Sequence, residues 1–208
     1  NSRAEAWAAS DETDQSTWNT YSFRQVASYG TGPNLWNEFW MGLLDAGEIL
    51  IDDIELIADP DGAATNLMQN GTFEGDTIGG SPATWRMTGH QLGTVIADPD
   101  LPGNNVLHFV ATGVMAQLNN HAETTTVGNT PIVNATEYEI SFRAKWLRGS
   151  NQLNTRLLSN RVAASHLLDV PANTGTPGTA NSTAEANIGP TYTNFRHTPI
   201  LPDAFEPV

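Results

Sequence analysis

Residues 137–147 read EYEISFRAKWL, and this stretch decides the fold class. Polar or charged residues alternate in it with apolar ones, which are Tyr138, Ile140, Phe142, Ala144 and Trp146. Successive side chains of a strand point to opposite faces, so the alternation predicts a strand with one buried and one solvated face. Strands of this kind are typical of antiparallel sheets.

Weaker patterns on both sides of this stretch predict further strands. They lie at residues 18–26, 48–57, 106–111, 153–158 and 166–170. Residues 34–44 (NLWNEFWMGLL) fit a helix and a strand equally well. Turn sequences separate the strands, among them DPDG at 59–62, GGSP at 79–82 and LPGN at 101–104. Short strands with such turns predict an all-β fold, an antiparallel β-sandwich or jelly roll.

The turn sequence near residues 58–65 suggests a division of the chain. We expect residues 1–60 to form the C-terminal part of a first jelly roll and residues 61–171 a second jelly-roll unit. Residues 172–208 would be a linker and the start of a following extracellular module. About four isolated strands would be only marginally stable. They either complete a sandwich begun upstream, which we favour, or pack onto the second unit as its missing strands.

Composition narrows the class of protein. The 208 residues carry a net charge of −14, Lys145 is the only lysine, and there is no cysteine. This charge argues against nucleic-acid binding and against docking on anionic lipid. Disulfides and thiolate metal sites are excluded, and no apolar run approaches the ~20 residues of a membrane span. An acidic surface suits an extracellular or cell-surface protein. The start at Asn1 suggests a piece of a longer polypeptide whose export signal lies upstream.

Three motifs carry a resemblance to a known family. They are GEILIDDIEL at 47–56, NLMQNGTFE at 66–74 and YEISFRAK at 138–145. Together they resemble galactose-binding-like jelly-roll domains, related to carbohydrate-binding modules, of large secreted planctomycete-type surface proteins with lamin-tail and CotH-like modules. The first motif resembles a closing strand of such a unit and the second an opening strand, as at a junction of tandem units. No second DD motif precedes Pro171, which departs from the family pattern.

The resemblance implies a structural calcium ion that joins the first and last strands of a unit. Asp52 or Asp53 would supply carboxylate oxygen, and Glu74 would be the counterpart from an opening strand. Ca²⁺ takes six to eight oxygen ligands, so carboxylates and nearby carbonyls suit it. Adjacent strand residues point to opposite faces, so only one Asp can face inward unless a bulge intervenes. The alternative is that both Asp are solvated at a strand end.

Candidate carbohydrate ligands cluster in two segments. Trp85 follows a loop-like GGSP sequence and is the best candidate for an exposed ring that stacks on a sugar, although a core position is the alternative. His90 follows in the same segment. Asn120, His121 and Glu123 offer hydrogen-bond donors and acceptors for hydroxyl groups, although the same residues could cap backbone groups of a polar turn.

No motif of a known catalytic centre is present. The sequence has no GxSxG, HExxH or P-loop motif, and its five histidines lack metal-ligand spacing. We therefore expect a non-catalytic module of an exported multidomain protein that binds carbohydrate or serves in adhesion. The alternative is a structural spacer or assembly module of a cell-surface or extracellular fibre protein. Expected partners are a polysaccharide or glycan and other domains of the same polypeptide, without nucleic acid or membrane insertion.

Overall fold

The computed structural model describes residues 17–28, 37–116, 120–157 and 162–170. The segment 172–208, predicted as a linker and module start, lies outside the described residues. The described ranges contain a short 3₁₀ helix at Val127–Asn129 and eleven strands. The strands are β1 (Asn19–Val26), β2 (Glu38–Leu43), β3 (Gly47–Ala58), β4 (Thr65–Asn66), β5 (Trp85–Met87), β6 (Gln91–Ala97), β7 (Asn105–Ala111), β8 (Ala122–Thr125), β9 (Glu137–Gly149), β10 (Gln152–Leu157) and β11 (Ala163–Leu167).

The strands form two sheets packed as a sandwich. Sheet A has the order β1-β9-β3-β7-β6, with β4 beside β3, and sheet B has the order β11-β10-β2-β8-β5. Every pairing is antiparallel. The prediction of an all-β antiparallel sandwich is therefore confirmed. Residues Glu38–Leu43 of the ambiguous segment form strand β2 of sheet B. The side chains of Phe39, Met41 and Leu43 in this strand are buried in the core.

The core lies between the inner faces of the sheets. Tyr138, Ile140 and Phe142 of β9 are buried there, as the alternation predicts. They meet the inner side chains of both sheets, which include Phe39, Met41, Leu43, Ile49, Ile51, Leu107, Phe109, Leu153 and Leu157. Burial of this apolar surface is the main stabilising contribution to such a fold.

The outer face of β9 is only partly solvated, which corrects the prediction that this whole face is exposed to solvent. Beyond Arg143 the outer side chains of Lys145 and Leu147 are buried. Leu147 packs with Leu50 of β3 and Val106 of β7 in a second apolar cluster on the outside of sheet A. The sequence of β9 alone does not reveal this, because the apolar neighbours come from other strands.

The predicted boundary near residue 60 does not separate two sandwiches. Strand β3 is hydrogen-bonded to β9 on one side and to β7 on the other, and β2 lies at the centre of sheet B. The first strands therefore belong to the same sandwich as the later ones. The less favoured alternative, in which they supply missing strands, is the observed arrangement. The favoured two-unit division was wrong because the turn at residues 59–64 only returns the chain to β4, beside the end of β3.

A β-bulge interrupts β3 at the DD sequence. The register against β9 shifts between Asp52 and Glu55, and Asp53 has a φ of 49°. Before the bulge Ile51 faces the core, and after it Ile54 does. One extra residue therefore changes which positions of β3 face inward. This explains why the apolar pattern of EILIDDIELI breaks at the two aspartates.

The NGTFE sequence braces this bulge. The carbonyl of Gly71 accepts a hydrogen bond from the Ile54 amide at 2.9 Å. A Cβ on Gly71 would lie 2.0 Å from the Ile54 carbonyl oxygen, so only glycine fits this close approach. Asn70 donates to Asp76 and to the Ala83 carbonyl, both at 2.8 Å. The motif thus holds the loop between β4 and β5 against β3.

Candidate functional site

Four large side chains, three of them charged, form a row on the outer face of sheet B. In the strand register Arg156 lies opposite Trp40, Trp40 opposite Glu123, and Glu123 opposite Arg86. Phe39 lies next to Trp40 in β2 and points into the core. Since neighbouring strands are about 4.8 Å apart, the row spans roughly 14 Å across four strands. These four residues are called the cross-strand row below.

The centre of the row is a stacked and hydrogen-bonded group. The rings of Trp40 and His121 stack with centroids 4.2 Å apart at 16°. His121 Nε2 lies 2.6 Å from Glu123 Oε2, and His121 Nδ1 lies 3.2 Å from the Ala116 carbonyl oxygen. Both ring nitrogens therefore lie within hydrogen-bond distance of an acceptor oxygen. The buried imidazole fixes the orientation of the Glu123 carboxylate.

A guanidinium lies at each end of the row. Arg86 forms an ion pair with the second carboxylate oxygen of Glu123, and its side chain is 72% exposed. Arg156 donates from Nε to Asn154 Oδ1 at 2.7 Å, and burial lowers the pKa of its guanidinium. Arginine offers several N–H donors in a fixed planar geometry, which suits ligands rich in oxygen.

A rim of polar groups adjoins the row beyond β5. The His90 amide donates to Asn120 Oδ1 at 3.1 Å. Thr88 Oγ1 donates to the His121 carbonyl at 2.7 Å and accepts from the His121 amide at 3.0 Å. Four of the five residues predicted for carbohydrate binding, namely His90, Asn120, His121 and Glu123, therefore lie in one connected region.

Trp85 does not belong to this face, which corrects the expectation of an exposed platform. Its side chain points into the core, where it is 8% exposed. Its ring makes an edge-to-face contact with Phe39 at 5.9 Å, and its Nε1 donates to the Asn70 carbonyl at 3.1 Å. Its neighbour Arg86 occupies the outer position of β5 instead.

The sequence does not indicate a binding role for three members of the cross-strand row. Arg86 belongs to a strand of three residues, which is too short for alternation to indicate its face. Trp40 is buried, but beneath the outer face of sheet B. Arg156 faces the row only because β10 pairs with β2.

The aspartates predicted for calcium contact an arginine. Arg143 of β9 donates from Nη2 to Asp52 Oδ2 at 2.7 Å and from Nε to Asp53 Oδ2 at 2.8 Å. Asn104 Nδ2 donates to Asp52 Oδ2 and to Asp98 Oδ2, both at 3.0 Å. The bulge lets both adjacent aspartates reach the same guanidinium.

Burial and the neighbouring charges shift the pKa values of Asp52 and Arg143 in opposite directions. Burial raises the pKa of Asp52, although hydrogen bonds from Asn104 and Arg143 act to lower it. Desolvation by itself would lower the pKa of Arg143, but the hydrogen bond and charge of Asp52, together with Asp53, raise it above its usual value. The aspartate thus bears a desolvation cost that the guanidinium partly offsets.

The predicted calcium ligands do not fit a calcium ion as they are arranged. Glu74 Oε1 accepts a hydrogen bond from the Asn105 amide at 3.1 Å. One buried oxygen, Asp52 Oδ1, lacks a hydrogen-bond partner, whereas Ca²⁺ needs six to eight oxygens. Within the described ranges no three His, Cys, Asp or Glu side chains are grouped to hold a metal ion.

A polar cavity of about 490 Å³ opens beside the bulge of β3. Its wall includes Asp53, Glu55, Asn66 and Asn70. Asp53 is paired with Arg143, and Glu55 accepts from Ser141 at 3.3 Å and from Asn66 at 3.5 Å. The carboxylates of this wall therefore already have partners within the protein.

Comparisons with known proteins identify no family for this chain. No family model matches the chain, and searches of curated proteins and of solved structures gave no significant match. Among the described residues, no helix has the length and apolar character needed to cross a membrane.

Proposed function

We propose that this chain is a non-catalytic β-sandwich module of an exported multidomain protein, and that it binds a glycan on the outer face of sheet B. The observation that carries the proposal is the connected set of donors and acceptors formed by the cross-strand row and its rim. Arg86 and His90 are exposed in this set, so a ligand can reach them.

The chemistry of these groups suits hydroxyl-rich ligands. A sugar hydroxyl can donate to the Glu123 carboxylate and accept from Arg86, and the Asn120 amide can do both. Trp40 is 5% exposed, so its part is to hold His121 and Glu123 rather than to stack on a sugar. Recognition by a few hydrogen bonds without a stacking ring favours weak binding, as in adhesion through many repeated contacts.

The proposal also includes the location of the module and its partners. The motifs that resemble galactose-binding-like jelly-roll domains, together with the net charge of −14, support an extracellular or cell-surface module. Other domains of the same polypeptide and a polysaccharide are its proposed partners. Nucleic acid is not among them, because its phosphates would be repelled by this charge.

One observation favours the alternative of a structural spacer or assembly module. Trp40, Trp85 and Trp146 are buried, and Trp18 is half-buried. No tryptophan in the described part of the chain therefore presents an exposed ring for sugar stacking. A spacer in a surface protein or fibre needs no such ring.

Glycan binding by matched variants tests the proposal. The full chain is screened on an array of plant, algal and bacterial glycans, and any hit is titrated by calorimetry. Arg86→Ala and Glu123→Gln should each weaken binding roughly tenfold or more, since hydrogen bonds to charged groups contribute about 1.5–3 kcal/mol. Arg24→Ala removes an arginine on the outside of sheet A and should leave the affinity unchanged.

Two results would count against recognition on this face. The first is an absence of binding across all three glycan groups, which together with self-association of the chain would support the spacer. The second is binding that survives Arg86→Ala and Glu123→Gln but is lost in Arg24→Ala. Far-UV circular dichroism of each variant verifies that the sandwich is intact.

A further inference from the structure

The outside of sheet A holds a guanidinium where the motif resemblance implies a calcium ion. Arg143 lies directly opposite Asp52 in the register of β9 and β3. It donates from two different nitrogens to two different carboxylates, at 2.7 Å to Asp52 and 2.8 Å to Asp53. Its side chain is 25% exposed, and that of Asp52 is 1% exposed.

The geometry points to Arg143 as the resident cation of this position. We infer that its guanidinium, rather than a divalent metal ion, neutralises the Asp52–Asp53 pair and ties β3 to β9. The stability of the sandwich would then be independent of calcium. This inference does not depend on glycan binding, because it concerns the opposite sheet.

The bulge explains how one side chain can serve both aspartates. In a regular strand Asp52 and Asp53 would point to opposite faces. The extra residue and the φ of 49° at Asp53 turn its carboxylate toward the same guanidinium. A planar guanidinium presents donors in several fixed directions, which a lysine ammonium at the same place would not reproduce.

The surroundings of Arg143 support the same conclusion. Its guanidinium carbon lies 4.7 Å from the centre of the Trp18 ring, a distance suited to a cation–π contact. A second cation lies two residues along β9, where Lys145 Nζ is 3.0 Å from Asp100 Oδ2. Asp98 Oδ2 lies 3.9 Å from Arg143 Nη2. A divalent ion placed here would be repelled by both side-chain cations.

The first experiment measures thermal unfolding of the full chain in EGTA and in millimolar CaCl₂ at equal ionic strength. The expected midpoint temperatures agree within about 1 °C. A calcium site filled far above its dissociation constant would raise the midpoint by several degrees, because a ligand of the native state must stabilise it. Such a rise in the wild-type protein would overturn the inference.

The second experiment replaces the guanidinium. Arg143→Gln should lower the midpoint by roughly 5–10 °C in either buffer, since it leaves the buried Asp52 without its cation. Arg24 is the matched control, because it also pairs with two carboxylates, at 2.8 and 2.7 Å, but on an exposed surface. Arg24→Gln should cost less than about 2 °C. Equal losses in the two variants would refute a special role for Arg143.

Arg143→Lys keeps the test decisive if Arg143→Gln does not fold. Lysine retains the charge but cannot bond both aspartates in the same way. Its midpoint should therefore lie between those of the wild type and the Gln variant, or remain measurable where the Gln variant is unfolded. A Lys variant that is as unstable as the Gln variant, or as stable as the wild type, would contradict the inference.

Discussion

His166 of β11 shows how a titratable side chain is accommodated between the sheets. Its Nε2 lies 2.8 Å from Thr155 Oγ1, and its ring meets that of Phe142 edge to face at 4.9 Å. The nearby aromatic surface gives the imidazolium no compensating charge. Burial therefore lowers the pKa of His166 to about 4.

The lowered pKa of His166 predicts that the protein loses stability in mild acid. The unfolded state takes up a proton near the ordinary pKa of 6.5, whereas the folded state does so only near 4. Stability is therefore complete above 6.5 and falls as the pH drops from 6.5 toward 4, by at most about 1.4 kcal/mol per pH unit. Urea unfolding at pH 7 and pH 4.5 should show a drop that is roughly 2 kcal/mol smaller in His166→Gln.

The wild type must be compared with His166→Gln because other groups also titrate in acid. The raised pKa of Asp52 acts in the opposite direction, since it favours the folded state as the pH falls toward the ordinary aspartate pKa of 3.8. His90→Gln, at an exposed position, is the control for removal of an imidazole. An identical pH dependence in the wild type and His166→Gln would contradict the assignment.

At the scale of elements, the bulge in β3 and the loop that braces it form one unit. The bulge turns Asp53 toward Arg143, and the loop supplies the carbonyl that accepts from Ile54. The sequence motif that carries the family resemblance is thus explained by packing. Its glycine allows two backbone segments to meet, and its asparagine orders the loop.

Gly71→Ala should destabilise the protein by roughly 2–4 kcal/mol, because the new Cβ would overlap the carbonyl of Ile54 and force the strand or the loop to move. Gly75→Ala in the same loop is the matched control, since a Cβ there would meet nothing within 4 Å. Urea denaturation of both variants measures the difference. Equal stabilities would show that the close approach at Gly71 is not essential.

At the scale of the whole molecule, the described strands form one sandwich. Strand β3 lies between β7 and β9, and β2 lies between β8 and β10. Removing β1 to β3 would expose the apolar inner faces of both sheets. Strands β1 to β3 therefore belong to this one sandwich and are not a separable unit.

A truncated chain tests this organisation. Residues 61–208 expressed alone should not fold, because their two sheets lose their central strands. Their far-UV circular dichroism and NMR dispersion should be those of an unfolded chain. The full chain should unfold in one transition, with tryptophan fluorescence and circular dichroism changing together. Cooperative unfolding of the fragment would restore the predicted two-unit division.

The amino-acid sequence was sufficient for the local features of this protein. It predicted the all-β class, strand β9 and the inward positions Tyr138, Ile140 and Phe142, because alternation with period two is a property of the strand backbone itself. It also grouped Asn120, His121 and Glu123 as one polar segment, because these residues lie close together in the chain.

Tertiary structure decided the features that depend on which strands meet. Arg86 and Arg156 lie on one row only because β5, β8, β2 and β10 pair in a particular register. Trp85 is buried and Arg143 meets two aspartates for the same kind of reason. Strand pairing joins residues that are distant in the chain, and a shift of one residue would turn each side chain to the other face. No local pattern contains that information.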